Sequence, residues 1–353
     1  MPDQVVLVLQ GGGALGAYQL GVYQAMHEAG MEPDWVIGTS IGALNGAIIA
    51  GNPPARRLDR LRQFWTLMEH HSTLYPGMPR AFANALTLTQ GIPAFFAINP
   101  ATWFNPDASV GVENAAFYRT GPLLKTLELL VDFDYLNRDG LRLTVGAVSA
   151  RTGHMRYFDT KREALCVDHV VASGAIPPAF PAVKIDGEPF WDGGIYSNTP
   201  IEAVLDDEPR RSSLIFSVQV WNPDGKEPQS VLDVLEKHKE IQYASRASHI
   251  EQQRRLHRLR HVIRELAQHL PPDVAASPEV RDLASWGCGT DMHVVLLKAP
   301  RLDSEDHTKD IDFTALGIHT RWQAGYADMK KALASQPWVS PASPIEGIAI
   351  HEI

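Results

Sequence analysis

Two glycine-rich turns within the first 42 residues constrain the fold of this chain more than any other feature of its sequence. Residues 11–16 follow the apolar run 5–9, and residues 38–42 follow the apolar run 35–37. The first run has the composition of a strand buried on both faces, residues 34–37 form a second short strand, and a helical pattern follows each turn. This order of strand, helix, strand and helix predicts an α/β fold, with a parallel sheet covered by helices on both faces.

The same alternation continues along the chain. Helices are expected at residues 14–29, 41–50, 58–68, 167–173 and 315–333, with a long charged helical stretch at 231–270. Further strands are expected at residues 141–149, 156–158, 214–220 and 292–297.

Composition argues against several classes of protein. The formal net charge of −9 argues against nucleic acid as the main partner. The two cysteines, Cys166 and Cys288, show no metal-ligand spacing, so we expect free or buried thiols of a reducing compartment. The first Lys or Arg is Arg56, so the apolar start lacks the positively charged region of a signal peptide. No apolar stretch reaches the ~20 residues of a membrane span. We therefore expect a cytoplasmic protein whose membrane contact, if any, is peripheral.

The first turn has two interpretations. Its glycines match the G-x-G-x-x-G pattern of dinucleotide-binding sites. That pattern also requires an acidic residue at the end of the second strand. Here Glu32 and Asp34 precede or open that strand, and Ser40 follows it. A nucleotide-binding oxidoreductase is therefore the least favoured interpretation.

The second turn, Gly38-Thr39-Ser40-Ile41-Gly42, has the G-x-S-x-G pattern of a nucleophile elbow. Gly38 and Gly42 allow a sharp bend from strand into helix, so that the Ser40 hydroxyl projects at the carboxyl edge of the sheet. In α/β-hydrolases this elbow follows several strands, whereas here it follows a single βα unit. The α/β-hydrolase fold therefore fits the sequence poorly.

A serine nucleophile also requires hydrogen-bond donors for the oxyanion and a base. One crossover separates the two turns, so their ends should lie side by side, and the expected donors are the amides of Gly11, Gly12 and Gly13. None of the 14 histidines lies in a recognisable motif. The candidate base is Asp192, because Gly193 and Gly194 leave its carboxylate uncrowded. The alternative is a turn aspartate that caps its own backbone.

Together, the glycine loop, the early G-x-S-x-G and the Asp-Gly-Gly turn resemble the patatin-like phospholipases. The resemblance covers about residues 5–200 and includes the proline-containing block 172–181 and, after the aspartate, Asn198 and Pro200. It implies a three-layer α/β/α sandwich around a mainly parallel sheet, with extra C-terminal helices. Three ordered motifs are more specific than any one of them.

The resemblance also implies a serine acyl hydrolase of the lipase, phospholipase or esterase type, with Ser40 as nucleophile and Asp192 as base. Its substrate would be a lipid or another acyl ester, with no metal and no organic cofactor. Residues 1–205 would form the catalytic core. Residues 206–353 would be an extension that adds strands (213–220 and 292–298) and helices to the same domain, and parts of it are similar to a bacterial subgroup.

The chain departs from the family at one position, and the sequence leaves two other functions open. The family often has Arg or Lys where this chain has Leu15, which leaves open whether the loop accepts phosphate-bearing lipids or neutral acyl esters. The same acyl-serine could serve an acyltransferase that passes the acyl group to a thiol or alcohol. A non-catalytic protein that binds lipids or a partner is the other alternative.

Two segments have two interpretations each. Residues 80–119 are aromatic, broken by prolines and lack basic residues between their ends, so they are either a lid facing substrate or a buried connection over one sheet edge. Residues 254–264 carry five arginines. They form either a helix that seats on anionic lipid or, as we favour, a solvated face paired with carboxylates.

Overall fold

The computed structural model describes residues 2–69, 80–225, 227–244, 249–302, 305–340 and 347–353. Their strands are β1 (Gln4–Leu9), β2 (Trp35–Thr39), β3 (Ala97–Ile98), β4 (Tyr118–Arg119), β5 (Arg142–Ser149), β6 (Met155–Asp159), β7 (Val183–Ile185), β8 (Glu188–Asp192), β9 (Ser213–Gln219), β10 (Met292–Lys298) and β11 (Ile348–Glu352).

The helices that connect and cover these strands are α1 (Ala17–Glu28), α2 (Ile41–Ala50), α3 (Pro54–Met68), α4 (Arg80–Gln90), α5 (Pro100–Trp103), α6 (Gly121–Leu130), α7 (Phe133–Arg138), α8 (Val167–Ser173), α9 (Glu202–Leu205), α10 (Val231–Ala244), α11 (His249–Gln268), α12 (Pro272–Ala275), α13 (Pro278–Ser285) and α14 (Ala315–Ser335). Short 3₁₀ turns lie at Gly13–Gly16, Gly193–Ile195, Lys309–Ile311 and Pro337–Val339.

Six parallel strands form the body of one sheet, in the order β11-β10-β9-β1-β2-β5. β6 and β8 both pair with β5 in the antiparallel sense, and β7 pairs with β8. β3 and β4 form a separate two-stranded ribbon. The first glycine turn follows β1 and the second follows β2, so both turns lie at the carboxyl edge of neighbouring parallel strands.

The two edges of β5 are occupied differently, and this arrangement positions the candidate site. β6 pairs along one edge, from Thr144 to Val148. On the other edge β2 ends with Thr39 opposite Gly146, and β8 continues along it with Asp192 opposite Ala147. β2 and β8 therefore approach each other head-on, and the residues after their carboxyl ends meet.

Helices cover both faces of the sheet. Alternate residues of β1 point to opposite faces, so Leu7 and Leu9 join one buried cluster and Val6 and Val8 join the other. The larger cluster includes residues of α1, α2, α3 and α14, and the smaller one includes residues of α9 and α11. The predicted three-layer α/β/α architecture is thus confirmed.

Helices α1 and α14 pack very closely. A Cβ atom on Gly21 would lie 1.9 Å from the Trp322 carbonyl oxygen, and one on Gly325 would lie 2.0 Å from that of Tyr18. Only glycine allows the two backbones to approach this far. The C-terminal helix is in this way held against the first βα unit.

Most predicted elements are found within a few residues of their expected bounds. Helix α3 begins earlier than expected, at Pro54, because proline is favoured in the first turn of a helix. The stretch 231–270 comprises two helices, α10 and α11, and residues 245–248 between them lie outside the described part of the chain. The hairpin of β7 and β8 and the strand β11 were not predicted, because they are short and lack a clear alternating pattern.

The basic stretch 254–264 lies in α11. Arg254 and Arg255 pair with Glu251, and Arg260 lies 3.8 Å from Asp206. These three arginines are paired with carboxylates, as the favoured interpretation expected.

Both cysteines are free thiols, as expected: Cys166 is exposed and Cys288 is buried. Among the described residues, no helix is both long enough and apolar enough to cross a bilayer.

Candidate active site

A cavity of about 170 Å³ at the carboxyl edge of the sheet brings the two glycine turns together. The predicted site residues that line it are Gly11, Gly12, Gly13, Ser40, Asp192 and Gly194. The remaining wall is predominantly apolar and comes from α2, the 80–119 segment, the proline block and the C-terminal part of the chain. Residues that are up to about 300 positions apart in sequence therefore share one small volume.

Ser40 has the strained backbone expected of an elbow. Its φ and ψ are 56° and −129°, a region that residues other than glycine rarely adopt. Its amide donates to the carbonyl oxygen of Ser173 at 3.0 Å and lies 3.2 Å from the Ser173 hydroxyl. These contacts from the end of α8 hold the bend in place.

Gly38 and Gly42 are required by close backbone packing. A Cβ atom on Gly38 would lie 2.3 Å from the Gly42 carbonyl oxygen, and one on Gly42 would lie 2.2 Å from that of Leu9. Both contacts are with backbone atoms that cannot move aside. The elbow can therefore lie directly against β1 only with glycine at these two positions.

Asp192 lies beside Ser40 and is 1% exposed. Its carboxylate accepts a hydrogen bond from the Gly194 amide at 2.7 Å, and the Ser40 hydroxyl lies within hydrogen-bonding reach of it. Burial disfavours the charged form and raises the pKa of Asp192 to about 7, although the Ser40 hydroxyl and the Gly194 amide act in the opposite direction. The carboxylate thus has a proton affinity well suited to accepting a proton near neutral pH.

The turn after Asp192 is tightly packed. A Cβ atom on Gly193 would lie 2.4 Å from the Gly146 carbonyl oxygen, and one on Gly194 would lie 2.8 Å from Oδ1 of Asn198. The Asp192 carboxylate also caps its own turn through Gly194, as the alternative interpretation expected, but it contacts Ser40 as well. The two interpretations are therefore compatible.

The three amides expected as oxyanion donors are not equivalent. The Gly11 amide donates to the Asn198 carbonyl at 3.2 Å, and its carbonyl accepts from Asn198 Nδ2 at 3.1 Å and Trp221 Nε1 at 2.9 Å. Within the described residues, the amides of Gly12 and Gly13 have no hydrogen-bond acceptor. Gly11 is thus held by its neighbours, and Gly12 and Gly13 keep unsatisfied donors beside the cavity.

Among the described residues that line the cavity, none is a lysine or an arginine. Leu15 is 4% exposed and packs in the core instead of lining the cavity. Among the lining residues that the structure describes, the charged side chains are those of Asp192 and Asp310. Lys239 bonds both carboxylate oxygens of Asp310, at 2.9 and 3.1 Å.

Aromatic rings from the 80–119 segment form the apolar wall of the cavity. Phe96 packs against Tyr118 and Phe180 with ring centroids 4.8 and 5.4 Å apart, and Phe95 lies 5.7 Å from Phe180. All four residues line the cavity and are buried. This part of the segment is both a buried connection and a surface facing the cavity.

Several residues of the site were not predicted from the sequence. Ser173 supports the elbow and lies in the proline-containing block 172–181, but its hydrogen bond with the Ser40 amide depends on how α8 packs. Trp221, Tyr243, Asp310 and Phe313 come from beyond residue 205. Their sequence neighbourhoods contain no catalytic motif, so only the fold reveals them.

Comparisons with known proteins agree with this architecture. A family model described as "Patatin-like phospholipase" matches residues 7–205, more than half of the chain, and a second one, described as "Patatin phospholipase", matches residues 241–344.

Two curated relatives and one solved structure illustrate the similarity. "Lysophospholipase nte1" of Aspergillus terreus is 59% identical over 46 residues, which are 13% of this chain and 3% of that protein. "Lysophospholipase NTE1" of Candida glabrata is 26% identical over 230 residues, 65% of this chain and 11% of that protein. The chain thus spans a small fraction of both. The crystal structure of VipD from Legionella pneumophila matches with a TM-score of 0.41 and 16% identity, over 95% of this chain and 67% of that one.

Proposed function

Because the chain belongs to the patatin-like phospholipase family, we propose that it hydrolyses acyl esters of lipids, with Ser40 as nucleophile and Asp192 as base. The observation that carries this proposal is that Ser40 shares one cavity with the buried carboxylate of Asp192, whose pKa burial raises to about 7. A direct pair of this kind needs no histidine between nucleophile and base.

In the first half of the reaction, Ser40 attacks the ester carbonyl carbon while Asp192 accepts the hydroxyl proton. The carbonyl oxygen becomes an oxyanion, which we assign to the amides of Gly12 and Gly13 because the Gly11 amide already has an acceptor. Each such donor typically lowers the barrier by ~2.7–4 kcal/mol. The protonated Asp192 then gives its proton to the leaving alcohol, and an acyl-serine remains.

In the second half, water attacks the acyl-serine. Asp192 accepts a proton from that water, and the same two amides bind the second oxyanion. Collapse of this intermediate returns the proton to Ser40 and releases the carboxylic acid. The buried aromatic wall next to Ser40 would hold the acyl chain, because it offers apolar surface directly beside the reacting carbon.

Substitution of the two residues tests the proposal. Ser40→Ala and Asp192→Asn should each lower kcat for p-nitrophenyl butyrate and a lysophospholipid by about 10⁴-fold, as removal of a nucleophile or its base does in serine hydrolases. Ser285→Ala and Asp224→Asn, at exposed positions, are matched controls that should retain activity. Wild-type rates in both site variants would rule the dyad out.

Two further measurements separate this proposal from its alternatives. Labelling by a fluorophosphonate probe that is lost in Ser40→Ala would contradict a purely lipid-binding role. Addition of a thiol or alcohol acceptor to the same assay would reveal an acyltransferase, because an acyl-transfer product would then accumulate in place of the free acid.

A further inference from the structure

Residues 308–313, which we call the strap, lie about 100 positions beyond residues 7–205, which the first family model matches. They nevertheless contact the glycine loop. The strap contains the 3₁₀ turn Lys309–Ile311. A Cβ atom on Gly13 would lie 2.4 Å from the carbonyl oxygen of Asp310, so the strap backbone packs directly on the Cα atom of Gly13. Gly13 itself has a positive φ of 55°. The unusual conformation of the loop is thus supported from outside by the strap.

The strap also reaches the other end of the loop, through Trp221. The ammonium group of Lys309 lies 5.9 Å from the centre of the Trp221 ring, within the range of a cation–π contact. Nε1 of Trp221 in turn donates to the Gly11 carbonyl at 2.9 Å. The strap thus contacts the loop directly at Gly13 and indirectly, through Trp221, at Gly11.

A buried ion pair anchors the strap to α10. Lys309 is 5% exposed, and its ammonium group bonds Glu236 at 3.0 Å and Glu240, which is fully buried. Arg301 also pairs with Glu240. Charges this deeply buried are costly unless they are paired in a defined geometry, so this pairing favours one position of the strap.

Further contacts fix the rest of the strap. Lys239 bonds the Asp310 carboxylate, and Asn84 Nδ2 donates to the Thr308 hydroxyl at 2.7 Å. At the far end, Arg321 donates to the Asp312 carbonyl at 3.0 Å. The strap is thus tied to α10, α4 and α14 at the same time.

The strap is also part of the cavity wall. Asp310, Ile311 and Phe313 all line the cavity beside Ser40. The Phe313 ring packs on Phe95 with centroids 5.9 Å apart, and stacks on Trp65 at 6.5 Å. A displaced strap would therefore alter both the glycine loop and the wall that faces the substrate.

We propose that the strap is a working part of the active site, and that Lys309 is a positioning residue that holds the amides of Gly12 and Gly13 in place for the oxyanion. This inference rests on the proposed function. Loss of the Lys309 charge would allow the strap to move away from Gly13. The oxyanion would then be bound less well, while binding of the substrate's ground state would change little.

The test compares Lys309→Met with Lys309→Arg, and with Lys331→Met, an exposed control on α14. With p-nitrophenyl acetate, whose acyl group is too short to depend on the apolar wall, Lys309→Met should lower kcat at least tenfold with KM within twofold. Lys309→Arg should restore most of kcat, and Lys331→Met should match the wild type. The rate of fluorophosphonate labelling should fall in parallel with kcat.

Circular dichroism and Tm establish that each variant is folded at the assay temperature. A folded Lys309→Met protein with wild-type kcat would overturn the inference, and so would a loss confined to KM. If Lys309→Met does not fold, Lys239→Met takes its place. Lys239 is only half-buried, and its substitution would release the Asp310 carboxylate of the strap. An unchanged kcat in Lys239→Met would overturn the inference as well. Failure of the proposed function would give a different result, because the Ser40→Ala variant would then retain the activity of the wild type.

Discussion

At the scale of single residues, the candidate site depends on one buried carboxylate. Asp192 is held almost completely out of water, and its pKa is consequently raised to about 7. A group whose pKa is higher in the folded than in the unfolded state lowers stability as pH rises between the two values. The fold therefore bears a cost for the ionised Asp192 above neutral pH, and in the proposed mechanism it gains a stronger general base than an ordinary carboxylate.

This pKa predicts the pH dependence of the reaction. Asp192 must be ionised to accept the Ser40 proton, so kcat/KM should fall about tenfold per pH unit below 7 and level off above it. The measurement is a pH–rate profile with a neutral ester, between pH 5 and 9. A profile that levels off already at pH 5 would show that the base has an ordinary carboxylate pKa and would contradict the assignment.

At the scale of elements, the segment from α4 to β4 supplies part of the apolar wall. Phe96 is buried within it and contacts Tyr118 and Phe180, whereas Phe104 on the same segment is 84% exposed. The sequence alone indicated an aromatic segment without basic residues, but it could not distinguish rings that face the cavity from rings that face solvent. That distinction depends on the ribbon of β3 and β4, which is only two residues long on each side.

We expect Phe96→Ala to weaken the use of long acyl chains selectively. Loss of part of the apolar wall should remove on the order of 1.5 kcal/mol of burial from a long chain, which lowers kcat/KM for a dodecanoyl ester about tenfold. The value for an acetyl ester should change less than twofold. Phe104→Ala is the control on the same segment and should change neither value. Equal losses for both esters would indicate general damage instead of a chain-binding role.

At the scale of the whole molecule, the two parts of the chain share one sheet and one cavity. β9 pairs with β1 along the whole of Gln4–Leu9, and β10 and β11 extend the sheet beyond it. Helix α14 packs on α1 within the larger of the two buried clusters. We therefore propose that residues 206–353 belong to the same folding unit as residues 1–205.

A truncated chain of residues 1–205 tests this proposal. Its β1 would become an edge strand with unpaired backbone groups and an apolar surface, which favours aggregation. We expect the truncated protein to be insoluble or to lack a cooperative thermal transition, and to show no Ser40-dependent activity. A soluble fragment with a cooperative transition would show that residues 1–205 fold independently.

The sequence by itself determined the local features of this protein. The strands β1 and β2, the helix α2, the glycine elbow around Ser40 and the α/β class were all predictable, because each depends on a short stretch of chain. A sharp bend that requires glycine, or an apolar run buried on both faces, leaves its mark within a few residues. The resemblance of three ordered motifs then linked Ser40 to Asp192.

Only the tertiary structure decided how these parts work together. It shows that β8 meets β2 head-on along β5 and that the Asn198 carbonyl accepts the hydrogen bond of the Gly11 amide. It also shows the strap packed on Gly13. These are contacts between residues roughly 150 to 300 positions apart, and the raised pKa of Asp192 follows from the same burial. No local pattern encodes such contacts, because they arise from the way the whole sheet and its covering helices pack.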